Sequence, residues 1–193
     1  MFWKDEGYLL SKNNFSENSI IIETFTVDHG KCSGIVYGGS SRKHKKIFQI
    51  GNKILINQKS KNENSLGYFN VELIKPVAPI FFDDKKRSIC ILAASSILKI
   101  LLPERQINEK IYNSFERMLD KLKSVNWINL YIYWELSLIK DLGFETNFLN
   151  EINTKDEIKK ALIFNKNLLM ENFIVPNNLK FPLFRNILEN YYT

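Results

Sequence analysis

The sequence predicts an α+β protein in two parts, a small closed β-barrel at the front and an all-helical module behind it. Three observations carry that expectation. Short β-branched and aromatic runs separated by turn residues fill the first part of the chain. Pro76 and Pro79 then mark the end of the sheet region. From Ser88 onward the apolar spacing changes from about 2 residues to about 3.6. The expected boundary is therefore at Pro79, with domains 1–79 and 80–193.

Gly7-Tyr8-Leu9-Leu10 is short and extended, and Ser19 to Thr26 is β-branched and aromatic almost throughout. Val27-Asp28-His29-Gly30 has turn chemistry, with Gly30 placed for a positive φ, so a hairpin leads into Cys32 to Tyr37. Gly38-Gly39-Ser40-Ser41 breaks the pattern. Gly51-Asn52 turns the chain into a fourth strand, Lys53 to Gln58, and the polar loop from Lys59 to Ser65 leads to a fifth, Gly67 to Ile74. Five short strands suit a barrel of the OB type better than a sandwich, which needs about seven. A small SH3-like barrel is the alternative.

Behind the prolines, Ile89, Leu92, Ala93, Ser96, Ile97, Ile100 and Leu101 share one helical face, and Pro103 stops that helix. A second helix is expected from Asn108 to Lys123 on Ile111, Phe115, Met118, Leu119 and Leu122. A third runs from Trp127 to Leu142 on Leu130, Trp134 and Leu138, with Gly143 as its C-cap. Asp156 to Glu171 and Pro182 to Tyr191 complete the helical set.

Composition narrows the function class. The chain has 193 residues, 45% of them hydrophobic, which is enough for compact folding, and its 27 basic against 21 acidic residues give a mild excess of +6 that favours polyanions. Cys32 and Cys90 are too far apart for a CxxC half-site, and with only His29 and His44 besides, no zinc cluster is expected. The opening residues carry Asp5 and Glu6 straight after Lys4 and lack an apolar signal region, and no apolar run reaches about 18 residues, so a cytoplasmic protein without a membrane span is expected.

Bond-making chemistry is poorly provided for. Asp5-Glu6 and Asp83-Asp84 are adjacent acidic pairs, but neighbours on a strand point to opposite faces, and both pairs read as solvated turn or strand-end acids. His29 reads as a surface or backbone-bonding turn residue. Gly38-Gly39 lacks the ending of a phosphate-binding loop. The expectation is a non-enzyme without a cofactor.

Binding chemistry is better represented. Arg42, Lys43, Lys45 and Lys46 place four permanent positive charges in five positions after the glycine pair, where several phosphates can be met at once. Lys31 and Lys53 on neighbouring strands are expected to support that loop. Tyr37 and Tyr68 are expected to face outward as platforms for unpaired bases, while Phe48 and Phe69 are assigned to the core.

The order of these segments resembles the RecO family, in particular its alphaproteobacterial versions. Trp3 to Leu10 and Glu17 to Glu23 resemble the first two strands of the family, and Thr26-Val27-Asp28-His29-Gly30-Lys31 is similar to its threonine, histidine and glycine signature. Gly34 to Arg42 resembles the next strand and the glycine-to-basic loop, and Gln49-Ile50-Gly51-Asn52 the turn after it. Leu66 to Glu72, Leu101-Leu102-Pro103-Glu104-Arg105 and Trp134 to Phe144 come next in family order. Between Glu145 and Asp156 only about a dozen residues stand where many members carry an extra segment, often a four-cysteine zinc site, so zinc does not carry over; Leu168 to Phe173 resembles the family's C-terminal helix.

The resemblance implies a DNA repair and recombination mediator. It would bind single-stranded and duplex DNA, anneal complementary strands and, with RecR, help RecA to load on strands covered by single-stranded DNA-binding protein. That protein's C-terminal tail would be a partner of the helical module. The residues themselves leave two alternatives, an adaptor on the same scaffold without DNA handling and an RNA-binding OB protein.

Overall fold

The structure is a computed structural model that describes residues 2–41, 44, 46–60, 66–146 and 152–192. Five strands close a barrel in the order β1 (Phe2–Ser16), β2 (Ser19–Thr26), β3 (Gly30–Tyr37), β5 (Gly67–Lys75), β4 (Lys53–Lys59) and back to β1. This is the OB strand order. All ladders are antiparallel except β3 with β5, which pair in parallel through Gly34 opposite Gly67 and Ile35 opposite Tyr68.

The first strand is 15 residues long, whereas its β-type sequence signal covers only Gly7 to Leu10. Its length reflects its two jobs. Phe2 to Tyr8 pairs with β4 and Gly7 to Ser16 pairs with β2, with register shifts beyond Leu9 and Asn14 that bend the strand around the barrel. The two ends lack the β-branched signal, because each is held by its own ladder, the first part on β4 and the second on β2.

The barrel interior is packed by Leu9, Ile20, Ile22, Cys32, Val36, Phe48, Ile54, Ile56 and Phe69, with Trp3, Ile47 and Val71 half-buried against them. Phe48 and Phe69 are in the core, as expected. Closure demands small residues. A Cβ on Gly34 would lie 2.5 Å from the Phe69 ring, and one on Gly67 2.5 Å from the Gln58 side chain. Asn52, fully buried, donates to the carbonyls of Lys46 and Ile47 at 3.1 Å each and accepts from the amides of Val77 at 2.9 Å and Ala78 at 3.2 Å.

The chain forms two compact units, 1–109 and 110–193. The sheet ends at Lys75, where the apolar period changes, but the first unit continues because α1 (Lys85–Leu101) packs on β1. Asp84 caps that helix by accepting from the Arg87 amide, so it is not a solvated turn acid. The expected core face of α1 needs correction. Buried residues are Cys90, Ile91, Ala93, Ala94, Ser95, Ile97 and Leu98, while Ile89, Leu92, Ser96, Ile100 and Leu101 are only half-buried. The helix is apolar on most sides, so periodicity cannot choose its buried face. Lys99 anchors the helix to the sheet, its Nζ 2.7 Å from Glu23 and 3.3 Å from Ser11 Oγ.

The second unit holds α2 (Glu109–Asp120), α3 (Trp127–Asp141), α4 (Lys155–Leu169) and α5 (Leu183–Asn190). Ile111, Phe115, Met118, Leu119 and Leu122 are buried as expected, and Gly143 leaves α3 with φ of 98°. Its centre is ionic. The fully buried Arg185 donates through Nε to Glu135 Oε1 at 2.5 Å and through Nη2 to Glu135 Oε2 at 3.1 Å and the Leu162 carbonyl at 2.7 Å. Its Nη1 reaches Glu189 at 3.2 Å, and Tyr131 and Asn165 also donate to Glu135. Burial works against the guanidinium charge, but Glu135, Tyr131 and Glu189 outweigh it and hold Arg185 above the ordinary arginine value.

These contacts set the expected cost of two substitutions. Gly34→Ala forces the Phe69 ring to shift and is expected to cost about 2 kcal/mol in urea unfolding. Glu135→Ala leaves a buried guanidinium short of its main partner and is expected to cost about 3–5 kcal/mol in the same measurement.

Candidate nucleic-acid interface

Alternation along the strands decides what the barrel shows to solvent. On β1, β4 and β5 the register aligns Phe2 with Lys59 and Lys59 with Tyr68, all on the outer face. Tyr37, from the end of β3, stacks on Tyr68 with ring centroids 5.1 Å apart and planes at 20°. The result is a row of aromatic, cation, aromatic and aromatic across four strands. Phe2 is 63% exposed, Tyr37 66% and Tyr68 43%. The Tyr37 phenol is held above its ordinary value, chiefly by its hydrogen bond to Tyr68. One step along the strands comes a second outer row, Lys4, Asn57 and Asn70.

An open groove of about 580 Å³ runs beside this row, with Phe2, Tyr37, His44, Phe48, Lys59 and Tyr68 among its lining residues. His44 is held there by Gly38, whose carbonyl lies 2.9 Å from Nδ1, and its ring meets Phe48 edge-on at 6.2 Å. Lys46 is exposed between them in sequence. Arg42, Lys43 and Lys45 lie outside the described residues.

Two expected supporting lysines sit elsewhere. Lys31 also points off the outer face of its strand, but α1 covers that side, and Lys31 is 8% exposed. Its Nζ donates to the Lys99 carbonyl at 2.9 Å and lies 3.6 Å from Glu104, so it ties α1 to the sheet. Lys53 is opposite Tyr8, six residues from Lys59 and so about 20 Å away along the strand. It pairs with Glu6 at 3.3 Å and sits 5.8 Å from the Tyr8 ring. Phe2, Lys4 and Lys59 take their place at the site, and none of the three is among the residues expected from the sequence. Extending the alternation of the first strand back to Phe2 puts Phe2 and Lys4 on the outer face, and that is the signal by which they could be found.

Asp5 and His29 also differ from expectation. Asp5 is buried, not solvated, and accepts from the amides of Glu6 at 2.7 Å and Asp28 at 2.9 Å, while His29 Nδ1 lies 2.8 Å away. This clamp fixes the 27–30 turn to β1. Gly30 turns with φ of 67°, and a Cβ there would come within 2.2 Å of the Gln106 carbonyl oxygen. The threonine, histidine and glycine pattern is thus a structural corner. Thr26 Oγ1 donates to the Gly30 carbonyl at 3.0 Å, His29 packs on Trp3, and Gly30 admits the 104–107 segment.

Comparison with known proteins agrees with a barrel followed by helices. A family model described as Recombination protein O N terminal matches residues 1–77, and one described as Recombination protein O C terminal matches residues 83–178. The chain belongs to the RecO family. Among its relatives, the DNA repair protein RecO of Roseobacter denitrificans is 35% identical over 145 residues, 75% of this chain and 60% of that protein. The DNA repair protein RecO of Wolbachia pipientis subsp. Culex pipiens is 35% identical over 147 residues and that of Cereibacter sphaeroides 33% over 142, each covering 60% of the relative. This RecO-family chain therefore spans 60% of the length of the curated relatives it matches. Among its described residues no helix is long and apolar enough to cross a membrane.

One chemical consequence concerns the barrel thiol. Burial, with Glu104 adding to it, pushes Cys32 up to about 12, and Cys90 is fully buried. At pH 8 the Cys32 thiol remains protonated and both thiols are shielded by burial, so a chromogenic thiol reagent is expected to register no cysteine in the native chain and two after denaturation.

Proposed function

We propose that this chain is a non-enzymatic DNA repair and recombination mediator that binds single-stranded DNA across the outer barrel row and duplex DNA through its cationic surface. It anneals complementary strands. With RecR it assists RecA loading on strands covered by single-stranded DNA-binding protein, whose tail peptide it meets through the helical unit. The carrying observation is the exposed row Phe2, Lys59, Tyr68 and Tyr37 on an OB barrel of a RecO-family chain. Aromatic faces accept any base by stacking, a lysine between them answers phosphate, and neither discriminates sequence. That is the chemistry an annealing protein needs, since it must hold a strand without masking its pairing identity. The names of the relatives, all DNA repair proteins, support the same reading.

The test is fluorescence anisotropy with a labelled oligonucleotide of about a dozen bases at several salt concentrations. Tyr37→Ala and Tyr68→Ala are each expected to cost about 1–3 kcal/mol of binding, with little loss of fold because both rings are exposed. Lys59→Ala is expected to flatten the log-log salt slope by about 0.7. Joint neutralisation of Arg42, Lys43, Lys45 and Lys46 is expected to flatten it by several times as much and to slow annealing, while the tail peptide still binds. Oligonucleotide affinity that ignores the two tyrosines would remove the proposed interface.

A further inference from the structure

Behind the outer row, the inward residues of the same three strands make a second row. Trp3 is opposite Gln58, and Gln58 opposite Phe69. These three line a cleft of about 750 Å³ at the end of the barrel, together with His29 and, among others, Asp28 and Arg105. The Trp3 and His29 rings are stacked 4.1 Å apart at 13°, and Phe69 meets Trp3 edge-on at 5.8 Å. Asp5 fixes the His29 ring through Nδ1. The cleft thus has rigid aromatic walls.

Its polar feature is unusual. Gln58 is 7% exposed, lines the cleft, and its Oε1 has no hydrogen-bond partner. A buried acceptor without a donor is a standing penalty unless a ligand supplies one. The charges at the mouth are mixed: Glu104 is answered by Lys31 at 3.6 Å, and Asp28 and Arg105 bring one charge of each sign to the lining. A net anion or cation gains little there. A flat, neutral ring with N–H groups on its edge fits the walls, the acceptor and the charge together.

We propose that this cleft receives one unstacked nucleobase of the bound strand, its ring against Trp3 and an edge N–H donated to Gln58 Oε1. The inference rests on the reading of the outer row as the strand-binding face. Phe2 and Trp3, Lys59 and Gln58, Tyr68 and Phe69 are sequence neighbours, so row and cleft are two faces of one wall at the barrel's end. A strand lying on the row need only turn over that end to insert the next base.

The experiment uses the full chain labelled with 5-fluorotryptophan, which gives fluorine resonances from Trp3, Trp127 and Trp134; the Trp3 resonance is assigned with Trp3→Phe. An oligonucleotide of about a dozen bases, roughly the span of one OB fold, is followed in parallel by anisotropy. At saturation the Trp3 resonance is expected to shift. Gln58→Met, matched in length but unable to accept, is expected to bind about 5-fold to 10-fold more weakly, to lose that shift, and to unfold at an unchanged or higher temperature, which a purely structural glutamine would not do. Saturable binding with an unmoved Trp3 resonance, or Gln58→Met binding as tightly as the parent, overturns the base cleft and leaves the outer row standing. Absence of any oligonucleotide binding at low salt overturns both.

Discussion

Gly34 and Gly67 face each other across the short parallel pairing that turns an open five-stranded sheet into a barrel. A Cβ on Gly34 would run into the Phe69 ring, and one on Gly67 would push the end of the Gln58 side chain aside. The rest of the first unit depends on that closure. It sets β5 beside β3, which brings Tyr68 against Tyr37, and it places Phe69 in the core next to Trp3. The exposed row and the cleft behind it are therefore products of one steric condition, the absence of two Cβ atoms. A sheet left open at this seam would keep most of its hydrogen bonds and lose both surfaces.

Coverage by α1 makes the barrel asymmetric. Tyr8, Leu10 and Phe25 are buried on the outer side of β1 and β2, where a bare barrel would show them to water. Lys31 and Lys99 stitch that side shut. The Phe2, Lys59, Tyr68 and Tyr37 side stays open. Charge respects the same division, since the lysines under the helix neutralise neighbouring acids and carbonyls while Lys4, Lys46 and Lys59 remain at the surface.

Much of this is legible in the sequence, and the failures have physical causes. The strands from Ser19, Lys53 and Gly67 begin where alternation and turn residues put them, because each has one face in the core. Tyr37 and Tyr68 face outward for the same reason. The first strand reads too short because its ends are largely polar and each is held by a ladder to a different neighbour. Lys31 is misplaced by its sequence because alternation tells inside from outside of a sheet but not whether a helix will lie on the outside. Asp5 reads as solvated because its partners, the turn at Asp28 and His29, are 23 and 24 residues away. The Arg185 cluster is the extreme case. Its main contact spans 50 residues, and nothing local marks a charged residue that will be wholly enclosed.

Asn52 joins stretches of chain that are far apart in sequence. One amide holds the end of the 38–51 connection through two carbonyls and the exit from β5 through two backbone amides. The barrel thus treats the connection as a strap whose far end is buckled to the exit from β5 at Asn52. Loss of that one side chain would therefore release the end of the connection and the exit from β5 together.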